Sequence, residues 1–483
     1  MRHLRLIAVL TCMAFVAMLA LSNVAVAQTK GMVGINVLLK TDVTQAILTD
    51  LGTHGTVRDV VAEIKAVTVQ AKASELAAIQ ALPYVASANQ DAERKTGPET
   101  ALVADTLSAG LSTWDLDAIN VTDHGFNNRQ VVEDGTSVYV AVLDTGLVSN
   151  WKSYFPTERI ATDLAICFGG GGGENGNVST PTNKWATDQN SHGTHVTSTI
   201  IGYHRIAYDP SGRDVSYDVN GVAPKATIIP VKVLNQNGSG WSSVVARGIV
   251  YVTDLKISGV LGTNPVVINM SLGGSTLDAM ERAAIDRAVA NGVIIVASAG
   301  NSGAAGMGYP GAYEPVISVA ASGWTGEWRP VTVGSNGQLL VNRSWWLGNV
   351  PDPATEADFY IAKFSSRALN YGEAGQQDLD VAAPGTWVLG PYQTNGQISY
   401  YYLGGTSMAS PHVAGIVALM AQKDSALTAA EAEIILETTA FPLGIGPRTI
   451  TGTNGFDTLV DWGVNATGAG LANAFAALGA TTP

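Results

Sequence analysis

Cysteine is almost missing from this chain of 483 residues: there are two, Cys12 and Cys167. So few cannot supply a disulfide framework. Charge is also thin. Only 14% of the residues are Asp, Glu, Lys or Arg, and they sum to a formal net charge of −13. No basic cluster stands ready to track a phosphate backbone, so the sequence speaks against nucleic-acid binding. Beyond the first residues no apolar run is long enough to span a bilayer. Glycine, in contrast, is plentiful at 53, beside an ordinary 19 prolines, and 46% of the residues are hydrophobic. That balance marks a globular, well-buried chain rather than a disordered one. The length fits one large domain with a smaller one, or three modest domains.

Residues 1–27 read as a secretory signal peptide. Arg2 and Arg5 give a basic start, Leu6 to Leu21 is mainly apolar, and Ala25-Val26-Ala27 is a small-x-small cleavage site. An uncleaved anchor is the alternative. The run is short for a spanning helix and ends in a processing signal, which favours cleavage. The expectation is a secreted protein, free of the membrane once the signal is removed. Cys12 leaves with it, and Cys167 remains as a small buried hydrophobe with no catalytic role.

Residues 28–95 read as a compact first domain. Val33, Ile35 and Val37 alternate as in a strand, and 41–51 is helical. Strand-like runs follow at Thr56–Val61 and Ile64–Ala71. Ser74–Leu82 is amphipathic, and Tyr84–Ala88 is a last strand. The order β-α-β-β-α-β predicts a small ferredoxin-like α+β sandwich. Residues 96–112 form a linker with a processing region, after a polar run that includes Arg94 and Lys95.

From 113 to 479 the pattern changes to alternating strands and helices. Strands are predicted at Val138–Leu143, Ala226–Val233, Pro265–Met270, Val293–Ser298, Val316–Ala321 and Asp378–Ala382. Helices are predicted at His192–Gly202, Ser242–Lys256, Leu277–Ala290, Thr406–Gln422 and Ala429–Glu437. Repeated βαβ units imply an α/β fold, a mostly parallel sheet with helices on both faces. Such sheets carry ligand sites at the carboxyl ends of their strands. Two stretches interrupt the pattern. The glycine run 169–173 lacks the Lys-Ser/Thr of a phosphate loop and reads as a flexible loop. The turn-rich insert 322–360 holds Trp324, Trp328, Trp345 and Trp346 around an expected hairpin. Its aromatics are read as packing the insert itself, ahead of a binding role. Removal of Gly326 to Asp358 is therefore expected to spare activity on small esters.

Three polar residues sit where such a fold puts chemistry. Asp144 directly follows the strand Val138–Leu143, though an Asp opening a turn before Gly146 is common. His192 opens a helix in Ser191-His192-Gly193-Thr194-His195. With no acid in the spacing of a zinc helix, these histidines do not match that motif. Ser407 follows two glycines in Gly404-Gly405-Thr406-Ser407-Met408-Ala409-Ser410-Pro411-His412. A serine delivered to a helix's first turn is either a nucleophile beside unpaired amides or an ordinary N-cap.

The segment 404–415 resembles the nucleophile segment of subtilisin-like serine proteases almost letter for letter. The order Asp144, His192, Ser407 matches the subtilisin order of triad residues. Ser271-Leu272-Gly273-Gly274, Ala299-Gly300-Asn301-Ser302 and Asp380-Val381-Ala382-Ala383-Pro384-Gly385 extend the resemblance over roughly 113–479. It implies the subtilisin-like three-layer fold and a secreted serine endopeptidase with Asp144, His192 and Ser407 as catalytic triad. It further implies Asn301 as oxyanion donor, and Ser271, Leu272, Gly273, Gly274, Ala299 and Gly300 as substrate-binding residues. His54 to Gln90 resembles, more weakly, the family's propeptide, which implies an autoprocessed precursor whose own propeptide is its intramolecular inhibitor. Protein or peptide substrates and a monomeric state go with it. No cofactor is required for the chemistry. Structural calcium is implied by the resemblance alone, with ligands unknown and no metal residue assigned. One departure is Thr197-Ser198, where the family continues its histidine motif with Ala-Gly. Two other classes compete: a catalytically silent peptide-binding relative, and a surface-binding protein that uses the tryptophan insert. The filled triad and Asn301 argue against the first, and the second would survive loss of Ser407.

Overall fold

The computed structural model describes residues 31–97, 100–103, 112–125, 128–170, 178–181, 183–208, 214–394 and 397–482. The signal-peptide reading lies outside these residues, as do most of the processing region and the glycines after Gly170. The chain divides into two compact units. The smaller holds the described residues up to Asp91, and the larger runs from Ala92 to Gly169 and from Val178 onward.

The smaller unit is a four-stranded antiparallel sheet in the order Thr56–Val61, Ala66–Lys72, Met32–Leu39, Val85–Gln90. Helices Gln45–His54 and Leu76–Gln80 complete the expected β-α-β-β-α-β order. Ile35, Val37 and Leu39 alternate into a core shared with Leu51, Val67, Val69 and Ile79. The first helix begins later than its periodicity indicates because Thr44 caps it, accepting from the Ile47 N–H at 3.4 Å.

The larger unit is built on an eight-stranded sheet. Its strands are β1 (Tyr139–Asp144), β2 (Ile166–Cys167), β3 (Thr227–Lys232), β4 (Val266–Met270), β5 (Val293–Ser298), β6 (Ile317–Trp324), β7 (Phe359–Ile361) and β8 (Val381–Pro384). The order is β7-β6-β5-β4-β1-β3-β2, with β8 beside β6. All pairs are parallel except β6 with β7. Strands β4 and β5, apolar except for Asn269 and Ser298, are wholly buried, as a sheet covered by helices requires. Its helices include α1 (His192–Ile201), α2 (Ser242–Ile257), α3 (Ala279–Ala290) and α4 (Thr406–Lys423). Helix α1 packs on α4, and α2 packs on α3.

The insert 322–360 is not a detachable surface loop. Its hairpin is there, Val331–Val333 against Leu339–Val341. Trp328, Trp345 and Trp346, however, are 0%, 1% and 1% exposed and belong to the main core. Trp345 lies 6.0 Å from Trp114 and 5.5 Å from Tyr402, ring centre to ring centre. The expectation that the insert can be removed is therefore overturned: its aromatics fill the body of the unit. A second unforeseen pair is the antiparallel hairpin Val388–Thr394 and Gln397–Gly404. Its first strand passes so close to α1 that a Cβ on Gly390 would stand 2.6 Å from Ser198 Oγ.

Candidate active site

The expected residues converge at the carboxyl ends of β1, β4 and β5 and the amino ends of α1 and α4. Asp144 is the last residue of β1, and His192 is the first of α1. Ser191, just before it, has φ 74°, a conformation uncommon for a residue with a Cβ. The side chains of Asp144 and His192 are both fully buried. His192 Nδ1 lies 2.8 and 2.9 Å from the two Asp144 oxygens, and the Thr145 N–H donates to Asp144 Oδ1 at 2.6 Å. Gly193 permits the approach, since a Cβ there would meet the Gly146 carbonyl oxygen at 2.5 Å.

Behind the pair is a second tier that the sequence reading missed. Thr145 Oγ1 accepts from the Gly193 N–H at 2.9 Å and donates to Asp188 at 2.8 Å. Burial pushes the Asp188 carboxyl up to about 6, against the opposing pull of Lys232. Lys232 in turn donates to the carbonyls of Thr145 and Leu234. His195, the neighbour of His192 one turn on, lies 3.1 Å from the Val388 carbonyl oxygen through Nε2. Complete burial, then the nearby His192, holds it down to about 3, so it is neutral.

Ser407 is the second residue of α4 and is buried. Its hydroxyl donates to the Ser271 carbonyl at 3.2 Å, and Ser271 Oγ donates back to the Ser407 carbonyl at 2.8 Å. Asn269 holds this link from below: its Nδ2 donates to Ser271 Oγ at 3.0 Å, and its Oδ1 accepts from Ser410 at 2.8 Å. A polar Asn inside the apolar strand β4 was the available signal. Asn301 Oδ1 accepts from the N–H and hydroxyl of Thr406 at 2.9 and 3.0 Å. This fixes the amide and turns Nδ2 towards Gly97, where an added Cβ would stand 1.7 Å away.

A cavity of about 440 Å³ adjoins Ser407 and Asn301 and is lined by Leu272, Gly273, Gly274, Ser298, Gly300 and Met307 among others. Ala299 is fully buried and packs with Met307, Ala312 and Ala368. One further segment enters the site. Glu93–Lys95 pairs antiparallel with Ser239–Trp241. Lys95 also exchanges two backbone hydrogen bonds with Gly273, and the Thr96 N–H donates to Gly238 at 2.9 Å. An extended chain thus lies as a middle strand in the cleft.

The sequence pattern of the Subtilase family (Peptidase_S8) matches residues 135–470. Subtilisin DY of Bacillus licheniformis is 34% identical over 314 residues, which are 64% of this chain and 86% of that protein. Thermitase of Thermoactinomyces vulgaris is 31% identical over 292 residues, 60% of this chain and 77% of its own. Fervidolysin from Fervidobacterium pennivorans, described as a keratinolytic enzyme related to subtilisin, is similar in structure with a TM-score of 0.61 and 25% identity. That match covers 94% of this chain and 61% of fervidolysin.

Proposed function

The chain belongs to the subtilase family, the subtilisin-like serine endopeptidases, and on that premise we propose that Asp144, His192 and Ser407 are its catalytic triad. Serine is a weak nucleophile and needs a base. Asp144, accepting from Nδ1–H, fixes the imidazole tautomer that leaves Nε2 to take the Ser407 proton. The Ser407 oxygen then attacks the peptide carbonyl, and His192 passes the proton to the leaving amine. Attack requires the hydroxyl to turn from the Ser271 carbonyl towards the imidazole, a change of one torsion. Water releases the acyl group in the same way. The oxyanion is met by the Ser407 N–H, in the first turn of α4, and by Asn301 Nδ2. The observation that carries this reading is the fully buried contact of His192 Nδ1 with both Asp144 oxygens. The middle-strand position of Glu93–Lys95 supports extended peptide substrates, read through their main chain at Gly273 and Gly240.

Secretion and self-processing belong to the same proposal. Residues 28–95 act as chaperone and inhibitor, and Ser407 makes the first cut within 96–112. The test is Ser407→Ala, expressed in a host without extracellular proteases. Alanine is smaller and helix-compatible, so the protein should still fold and be exported. A species beginning near Gln28 should accumulate, where the wild type begins within the linker. Terminal sequencing of both reads the outcome. A mutant that matures at the wild-type bond would mean that processing is done in trans.

Calcium is the metal that the family resemblance implies. Among the described residues, Asp378, Asp380 and Glu433 each offer a carboxylate oxygen, all within 4.8 Å of one another. Asp380 is fully buried, and its Oδ2 accepts from the N–H and hydroxyl of Ser318 at 2.6 and 3.1 Å. Among the described residues its Oδ1 has no hydrogen-bond partner. An all-oxygen, anionic set of this kind fits a hard divalent cation. We assign these three residues as its ligands. When bound it neutralises the cluster and adds stability, not catalysis.

A further inference from the structure

The chain lying in the cleft carries one side chain that the chemistry above does not use. Arg94, opposite Gly240 in the Glu93–Lys95 pairing, is fully buried, and so is its partner Glu281. Its Nε donates to Oε1 at 3.1 Å and its Nη2 to Oε2 at 2.5 Å, a two-point fork. Nη2 also donates to the Thr276 carbonyl at 3.1 Å, and Nη1 to the Glu93 carbonyl at 3.0 Å. Gly274 makes room for this arrangement. A Cβ there would stand 2.3 Å from the Glu93 carbonyl oxygen and 2.8 Å from Arg94 Nη1.

Main-chain pairing at Gly273 and Gly240 accepts almost any sequence. The Arg94 pocket does not. Glu281 is fixed near the start of α3, where Asp278 caps the helix by accepting from the Met280 and Glu281 N–H groups. When the segment leaves, the same carboxylate faces the next chain to enter. An apolar residue would bury it without its cation, which is costly. Lysine brings one compact ammonium that cannot match both oxygens as the guanidinium does. The register follows from Gly97, which lies against Asn301 Nδ2. If Asn301 holds the oxyanion, the residue at Gly97 supplies the reacting carbonyl, and Arg94 is the fourth residue counted back from the cleaved bond.

We infer that Glu281 makes this enzyme select peptide and protein substrates with arginine at the fourth residue on the amino side of the cleaved bond. The inference rests on the triad and oxyanion reading above. It is tested on the mature enzyme with quenched fluorogenic peptides differing only at that residue: Arg, Lys, Leu, or citrulline as arginine's neutral isostere. Active enzyme is counted by fluorophosphonate uptake. The Arg peptide should exceed Leu and citrulline by roughly thirtyfold or more in kcat/KM, with Lys between. Glu281→Gln should collapse that ratio towards one. If it fails to mature because Arg94 loses its partner, the paired variant Arg94→Leu with Glu281→Leu restores an apolar match. It should then favour the Leu peptide. Equal rates on all four peptides with wild-type enzyme overturn the inference and leave the protease reading standing. A preference for Arg that survives both variants also overturns it. No hydrolysis of any peptide or of a small ester brings down both readings.

Discussion

Asn301 does two things with one amide. Its Oδ1 ties down the first turn of α4 through Thr406, and that bond aims Nδ2 into the cleft. Asn301→Leu should therefore lower kcat far more than it changes KM. Loss of one oxyanion donor costs about 100- to 1000-fold in a subtilisin. A modest drop in Tm should accompany it, from the lost Thr406 bonds. An unchanged kcat would reduce Asn301 to a turn residue. Glu327 makes a different residue-scale prediction. It is buried among Thr386, Tyr360 and the Trp324 N–H, which donate to it at 2.6, 2.9 and 3.2 Å. Burial, outweighing those bonds, pushes its carboxyl from 4.5 up to about 8. The folded state thus holds the proton more tightly than the unfolded one. That contribution is full below about pH 4.5 and is lost as pH rises through about 8. Glu327→Gln has no proton to lose. Across that window its Tm should gain steadily on the wild type in thermal melts, and parallel curves would refute the assignment.

At the scale of elements, the insert carries the larger lesson. Sequence reading treats a turn-rich stretch with four tryptophans as a local cluster, because periodicity is missing from it. The structure drives three of those rings into the main core beside Trp114, Tyr402 and Trp387. Trp345→Ala should cost about 3–5 kcal/mol. That is a large share of the about 5–15 kcal/mol by which a domain is stable. Denaturant unfolding of the Ser407→Ala background measures it without self-digestion. A loss below about 1 kcal/mol would mean that the insert folds on its own terms.

The whole molecule should respond to loss of calcium. Asp378, Asp380 and Glu433 come from the approach to β8 and from the helix Ala429–Thr439, so a shared ion ties together segments far apart in the chain. Burial, and after it neighbouring carboxylates, raises all three carboxyls, to about 7 for Glu433. A cation removes that repulsion. Chelation should lower the Tm of the mature enzyme, and added calcium should restore it. Asp380→Asn should be insensitive to both treatments. Equal chelator sensitivity in the variant would move the ion elsewhere.

The sequence by itself determined six of the eight sheet strands and their parallel type, because apolar runs between glycine-marked turns leave a covered parallel sheet as their outlet. The short strand Ile166–Cys167 and the antiparallel Phe359–Ile361 carry no such run. It also determined the residue types at Asp144, His192, Ser407 and Asn301. Each stands in a short local motif at an element's end, and local motifs are legible without neighbours. What it left open are the contacts between residues distant in the chain. Asn269 under Ser271, Asp188 behind Thr145, Arg94 on Glu281 and the tryptophans of the insert have no sequence period in common. Tertiary packing decided these. Burial makes an unpaired carboxylate or an unfilled volume expensive, and only the folded chain sets which groups share that burial.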